Sequence, residues 1–137
     1  EVIDKIGGLD EIIFMYAEEM EFSYRMHQLT DYSAVSVPWA HIYHLEGASS
    51  KEKTIKFNEE WERQILLGLP RYFYKWYGEE TVYKYLKLRI SFARKMQFLS
   101  FLLFDRGRTD RYKRLKYLYK EHIKNFQLFI KKLSGEA

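Results

Sequence analysis

The chain has 137 residues, no cysteine, and 23 Lys and Arg against 19 Asp and Glu, for a formal net charge of +4. That length predicts a core burying roughly 68% of the unfolded surface. The lack of cysteine excludes disulfides and thiolate metal sites, and no apolar run approaches the ~20 residues needed to span a bilayer. Twelve Tyr and ten Phe, with two Pro and seven Gly, indicate a globular chain rich in long helices. Position 1 is Glu and no signal-peptide pattern opens the sequence. A fragment of a longer protein is therefore expected.

The charge is unevenly spread. Residues 1–50 carry nine acidic and two basic groups, and residues 51–137 carry ten acidic and twenty-one basic. An acidic front and a basic back suggest separate tasks, with cation or hydroxyl chemistry in front and an anionic partner behind. Solvated Lys and Arg on long helices explain the basic half equally well.

Residues 2–9 end in Gly7-Gly8 and read as a turn into the first helix, with Asp10 as its candidate N-cap. Residues 17–29 favour helix. Their stripe of Met20, Tyr24, His27 and Gln28 is only partly apolar, and Glu21 and Arg25 stand at ion-pair spacing on the helix surface. The helix should stop near Thr30-Asp31. Residues 32–38 alternate with period two, as a strand does, until Pro38. Residues 41–44 read as a second short β-like piece, and residues 46–51 as a small polar loop.

The remainder reads as helix. Residues 54–77 should kink near Gly68-Leu69-Pro70, because proline lacks an amide hydrogen and crowds the preceding turn. Gly78 is a good stop. Residues 79–104 carry the stripe Val82, Leu86, Arg89, Phe92, Met96, Leu99 and Leu103. Asp105-Arg106-Gly107 breaks that helix. Thr109 can cap a last helix to about residue 133, with Leu115, Tyr119, Ile123, Phe126 and Ile130 on its apolar face. The predicted fold class is mainly α with a small β element (α+β).

Glu18, Glu19 and Glu21 fall at a helix start, where the helix dipole favours carboxylates by ~0.3–1 kcal/mol each. That is a sufficient structural reason for them. A second reading is acid–base chemistry. A general base needs one carboxylate aimed at a hydroxyl and a neighbour to hold the acceptor, and adjacent helix positions point about 100° apart. His41 and His44 would face opposite sides of a straight strand, which argues against a two-His site. His41 reads as a packing or hydrogen-bonding residue, and His27 and His122 as helix-surface or edge residues.

Four motifs occur in one order: Gly8-Leu9-Asp10-Glu11; Phe14-Met15-Tyr16-Ala17-Glu18-Glu19-Met20-Glu21-Phe22-Ser23-Tyr24-Arg25; Val37-Pro38; and His44-Leu45-Glu46-Gly47-Ala48-Ser49-Ser50. Together they resemble the C-terminal half of family 2 glycosyltransferases of the GT-A fold, especially rhamnosyltransferase-like members. Those typically read Gly-Phe-Asp-Glu, Phe-Phe-x-Tyr-Gly-Glu-Asp-x-Asp-Leu-Ser-x-Arg, Val-Pro and His-x-x-Gly-x-Ser-Ser. The resemblance covers residues 7–50, and more loosely the aromatic helix ending Lys75-Trp76-Tyr77-Gly78.

The resemblance implies that residues 1–50 are the end of a catalytic domain and residues 51–137 a helical extension. It makes Glu19 the base that deprotonates the acceptor hydroxyl. Glu18 helps hold the acceptor, and Glu21 takes the place of a further acceptor-side Asp. His44 would be a ligand of a divalent metal (Mg or Mn), and Ser49, Ser50 and Lys51 would approach the donor diphosphate. The implied partners are a nucleotide-sugar donor and a glycan or lipid-linked acceptor at the cytoplasmic membrane surface.

The base position holds Glu where the family has Asp, a displacement of ~1.5 Å, and Ala17 replaces the family's Gly. The family's Asp-x-Asp motif is absent from this sequence. The fragment alone is therefore expected to be inactive.

Residues 106–120 are crowded with Arg and Lys interleaved with Tyr, and follow the dense apolar patch 96–104. Three readings stand beside the enzyme: a membrane-surface contact, packing of the patch against the missing half, or a homodimer through the C-terminal helices. Nucleic acid fits the basic residues but neither the acidic front nor the motif order.

Overall fold

The computed structural model describes residues 1–13, 16–41, 43 and 59–135, with backbone alone for 59–65. The described helices are α1 (Val2–Ile6), α2 (Glu18–Leu29), α3 (Glu59–Leu102), α4 (Arg106–Lys124) and α5 (Phe126–Ser134). The protein is mainly α, and no strand occurs among the described residues. The chain forms two compact units, Glu1–Gly68 and Leu69–Ala137.

In the first unit, residues 2–6 form a short helix rather than a turn. It stops at Gly7, whose φ of 79° and ψ of 177° lie in a region open essentially to glycine alone. Asp10 caps a turn, not a helix: its Oδ1 accepts from the Ile12 amide at 2.9 Å. Helix α2 starts and stops where its pattern predicts, with the Thr30 amide returning to the Met26 carbonyl at 3.0 Å.

The β element expected over residues 32–38 does not form. A strand needs a neighbour to accept its ladder bonds, and here Tyr32 instead donates its amide to Thr30 Oγ1 at 3.2 Å. Its hydroxyl donates to Glu1 and accepts from Lys5 Nζ at 3.1 Å. Val35 is left 76% exposed. Pro38 and Trp39 form a turn closed by the Ala40 amide on the Val37 carbonyl at 3.1 Å. Of the second β-like piece, His41 and Tyr43 are irregular and exposed, while Ile42 and His44 lie outside the described residues.

In the second unit Pro70, where a kink is expected, is buried inside α3, and the helix breaks at Gly78, with φ 76° and ψ −178°. Phe73 and Tyr85 lie twelve residues apart, ~18 Å along a straight helix. Their rings are 5.2 Å apart, so the chain bends sharply at Gly78. After the bend, residues 79–102 run antiparallel to α4. Arg89 Nε donates to Tyr119 Oη at 3.1 Å, and Lys116 Nζ donates to Gln97 Oε1 at 2.6 Å. Tyr83 meets Phe126 edge-on at 5.4 Å.

The buried stripe of α3 starts as expected at Val82 and Leu86 but continues through Ile90, Ala93 and Ser100. Phe92, Leu99 and Leu103, placed on the buried face by their spacing, are exposed. The last helix is two: Asn125, at φ −108° and ψ 43°, separates α4 from α5. The N-cap of α4 is Asp105, which accepts from the Arg108 amide at 2.9 Å. Thr109, the expected cap, donates its hydroxyl to the Asp105 carbonyl at 2.7 Å. Tyr119, Phe129, Ile130 and Leu133 complete the core of this unit. His122 stacks on Phe129 with ring centroids 4.2 Å apart.

Candidate functional site

The N-terminal turn of α2 gathers the three carboxylates but gives them different surroundings. Glu18 is half-buried, and its Oε2 accepts from the Ala17 amide at 2.9 Å. That bond satisfies one of the donors every helix start leaves open. Glu19 is exposed. Glu21 is 0% exposed and paired with Arg25 Nη2 at 2.9 Å.

The Glu21–Arg25 pair is therefore an internal tie and not a surface pair. The same guanidinium donates to the carbonyl of Ile6 and, at 2.6 Å, to that of Gly8. Arg25 thus satisfies carbonyls at the end of α1, holds them to α2, and neutralises a carboxylate out of water. Its fork of donors suits a carboxylate and two carbonyls at once. Glu21, expected on the acceptor side, is engaged in this tie and withdrawn from the surface. It fixes the register of the helix that carries Glu19.

Two features mark the loop before the carboxylates. Tyr16 has φ 62°, a left-handed conformation uncommon for a non-glycine residue. Ala17, where the resembled family has Gly, is 1% exposed. Strained residues cluster at functional sites when the surroundings hold them. Tyr16 stands two and three residues from Glu18 and Glu19.

The other expected site residues, His44, Ser49, Ser50 and Lys51, lie outside the described residues. Among the described residues no three His, Asp or Glu side chains are placed to hold a cation. No described helix is long and apolar enough to cross a membrane.

Sequence reasoning missed a cluster in the second unit. Arg89 lies over the Tyr119 ring at 5.5 Å and the Phe92 ring at 5.6 Å. Burial, reinforced by neighbouring Tyr119, pushes the Tyr85 phenol up to about 12, although the Arg89 charge opposes this. Burial of Arg89 alone would lower its own value. The Tyr119 hydrogen bond and the surrounding tyrosines outweigh that and raise it. The available signal was an arginine within an apolar stripe, spaced four residues from Tyr85.

Comparisons with protein-family models, curated proteins and solved structures find no match to this chain.

Proposed function

We propose that this chain is the acceptor-side part of an inverting glycosyltransferase acting at the cytoplasmic face of a membrane, with Glu19 as the base. The motif order of residues 7–50 supports the class of reaction. The observation that carries the base assignment is the division of the carboxylates. Glu19 is exposed in the first turn of a helix whose register the buried Glu21–Arg25 pair fixes from beneath. A rigid helix is a better platform than a loop for a group that must sit within about 0.5 Å of its productive position.

In this reaction Glu19 takes the proton from an acceptor hydroxyl as that oxygen attacks the anomeric carbon of a nucleotide-sugar. The bond from that carbon to the diphosphate breaks, and the nucleoside diphosphate leaves with the electron pair. Glu18, held at the helix start by the Ala17 amide, lines the acceptor side. A preceding part of the same enzyme binds the donor, so the chain alone neither binds a nucleoside diphosphate tightly nor turns over.

In the full-length enzyme, Glu19→Gln should lower transfer by about 10²–10⁴-fold, the usual worth of a general base. Nucleotide-sugar affinity, measured by titration calorimetry, should not change. Near-normal turnover in that variant would refute the base role. Micromolar binding of a nucleoside diphosphate with manganese by the isolated chain would refute the division of labour.

A further inference from the structure

We propose that the corner joining α3 to α4 docks on an anionic lipid surface. Residues 98–104 would enter the acyl boundary, and the basic first turns of α4 would contact the headgroup phosphates. This stands on observations in the second unit and does not depend on the glycosyltransferase reading.

The first observation is the shape of the apolar surface. Phe98, Leu99, Phe101, Leu102, Leu103 and Phe104 are all exposed, Phe104 to 92%. At 100° per residue, positions 98, 99, 101 and 102 cover an arc of about 160°, and residues 103 and 104 extend it around the helix end. A fluid apolar phase can surround a projection of this breadth.

The second observation is backbone strain at the tip. The Asp105 amide bonds to the Ser100 carbonyl and the Phe104 amide to the Phe101 carbonyl, both at 3.0 Å. These two bonds define a Schellman helix end, whose left-handed position is usually glycine. Here that position is Phe104, at φ 55°. The most exposed aromatic of the corner stands where glycine would fold more easily, so local stability does not explain it.

The third observation is charge. Residues 94–114 hold seven basic and two acidic side chains. Arg106, Arg108, Arg111, Lys113 and Arg114 are exposed within the first turns of α4, about 12 Å of helix. Beside the corner lies an open groove of about 310 Å³ whose lining includes Phe98 and Phe101 together with Arg94 and Lys116. Cationic groups beside an apolar projection match a phosphate headgroup above an acyl chain. A second copy at the same corner would bring like charge against like. Nucleic acid would leave the Phe and Leu side chains uncovered.

The test is co-sedimentation of the whole chain with phosphatidylcholine vesicles, with and without phosphatidylglycerol, at two salt concentrations. Binding is expected only with the anionic lipid and should weaken with salt, as screening requires. Phe101→Ser with Phe104→Ser should lower it at least about tenfold, because two phenyl rings no longer enter the acyl phase. Phe104→Gly should weaken binding while its thermal midpoint holds or rises, a split that a structural role for Phe104 would not produce. Arg111→Glu with Lys113→Glu should remove the preference for anionic lipid.

Failure to bind anionic vesicles overturns the proposal, as does binding indifferent to the Phe substitutions. Dimerisation or a nucleic-acid gel shift lost in the Phe double variant, without vesicle binding, would assign the corner to that partner. Vesicle binding by this chain that vanishes in a longer parent protein would assign it to an internal contact. Placed in the full-length enzyme, these substitutions should leave transfer to a soluble acceptor unchanged, so this test and that of Glu19 fail independently.

Discussion

The two units hold themselves together by different means. In the first, the central contact is polar: one guanidinium bridges a buried carboxylate and two backbone carbonyls. In the second, the most deeply buried side chains are mainly apolar, among them Val82, Leu86, Phe129 and Leu133. A polar tie specifies geometry sharply, because an imperfect arrangement leaves a buried charge unpaired. An apolar core is tolerant of detail and supplies most of its stability through area. The sharper geometry lies in the unit that carries the candidate base.

Three measurements would break or sharpen that contrast. The largest effect is expected from Arg25→Ala, which leaves Glu21 buried without its cation. Loss of one member of a buried pair costs about 3–5 kcal/mol. Amide hydrogen exchange should rise throughout α1 and α2 and stay constant over residues 79–133. An equal rise in both units, or none in α1 and α2, would end the claim that the tie is local.

Leu86→Ala should have the opposite footprint, with a loss of about 2–5 kcal/mol from transfer and cavity terms. Protection should fall along α3 and α4 and remain in α2. If protection in α2 fell equally, the two units would be one cooperative structure.

The smallest effect concerns Tyr85. Its folded phenol keeps its proton up to about 12, whereas the unfolded group releases it near 10.0. Between those values the folded state holds the extra proton. The contribution is therefore complete below pH 10 and is lost as pH rises toward 12, on the order of 2 kcal/mol in all. Tyr85→Phe should flatten the fall of stability over that range, and tyrosinate absorbance should show one late-titrating phenol. Parallel profiles for the two proteins would show that the phenol is not held in this way.

Much of the local structure was legible from residue order. The start and stop of α2 follow from its good helix formers and the Thr30-Asp31 end. The bend at Gly78 follows from a glycine between two helical patterns. Both are decided within a few residues, where propensity and backbone sterics act. Pro70, read as a break or kink, is carried inside α3 and is fully buried.

The candidate site divides in the same way. The acidic cluster and its position at a helix start could be read from the chain. Which of its carboxylates is exposed could not, because Glu19 and Glu21 look alike in sequence. Spacing allowed Glu21 to meet Arg25, but only the end of α1, folded against them, turned a surface pair into a buried one. Likewise, periodicity gave α3 an apolar stripe through Phe92 and Leu99. The antiparallel partner instead covers the neighbouring face through Ile90, Ala93 and Ser100.

By itself, then, the sequence determined that the chain is helical, where glycine interrupts it, and where acid and base concentrate. Those properties arise from local sterics and composition. The tertiary structure decided which groups lose water: Glu21 and not Glu19, Ser100 and not Phe101. Burial depends on what a distant segment brings alongside, and no spacing within one helix contains that information.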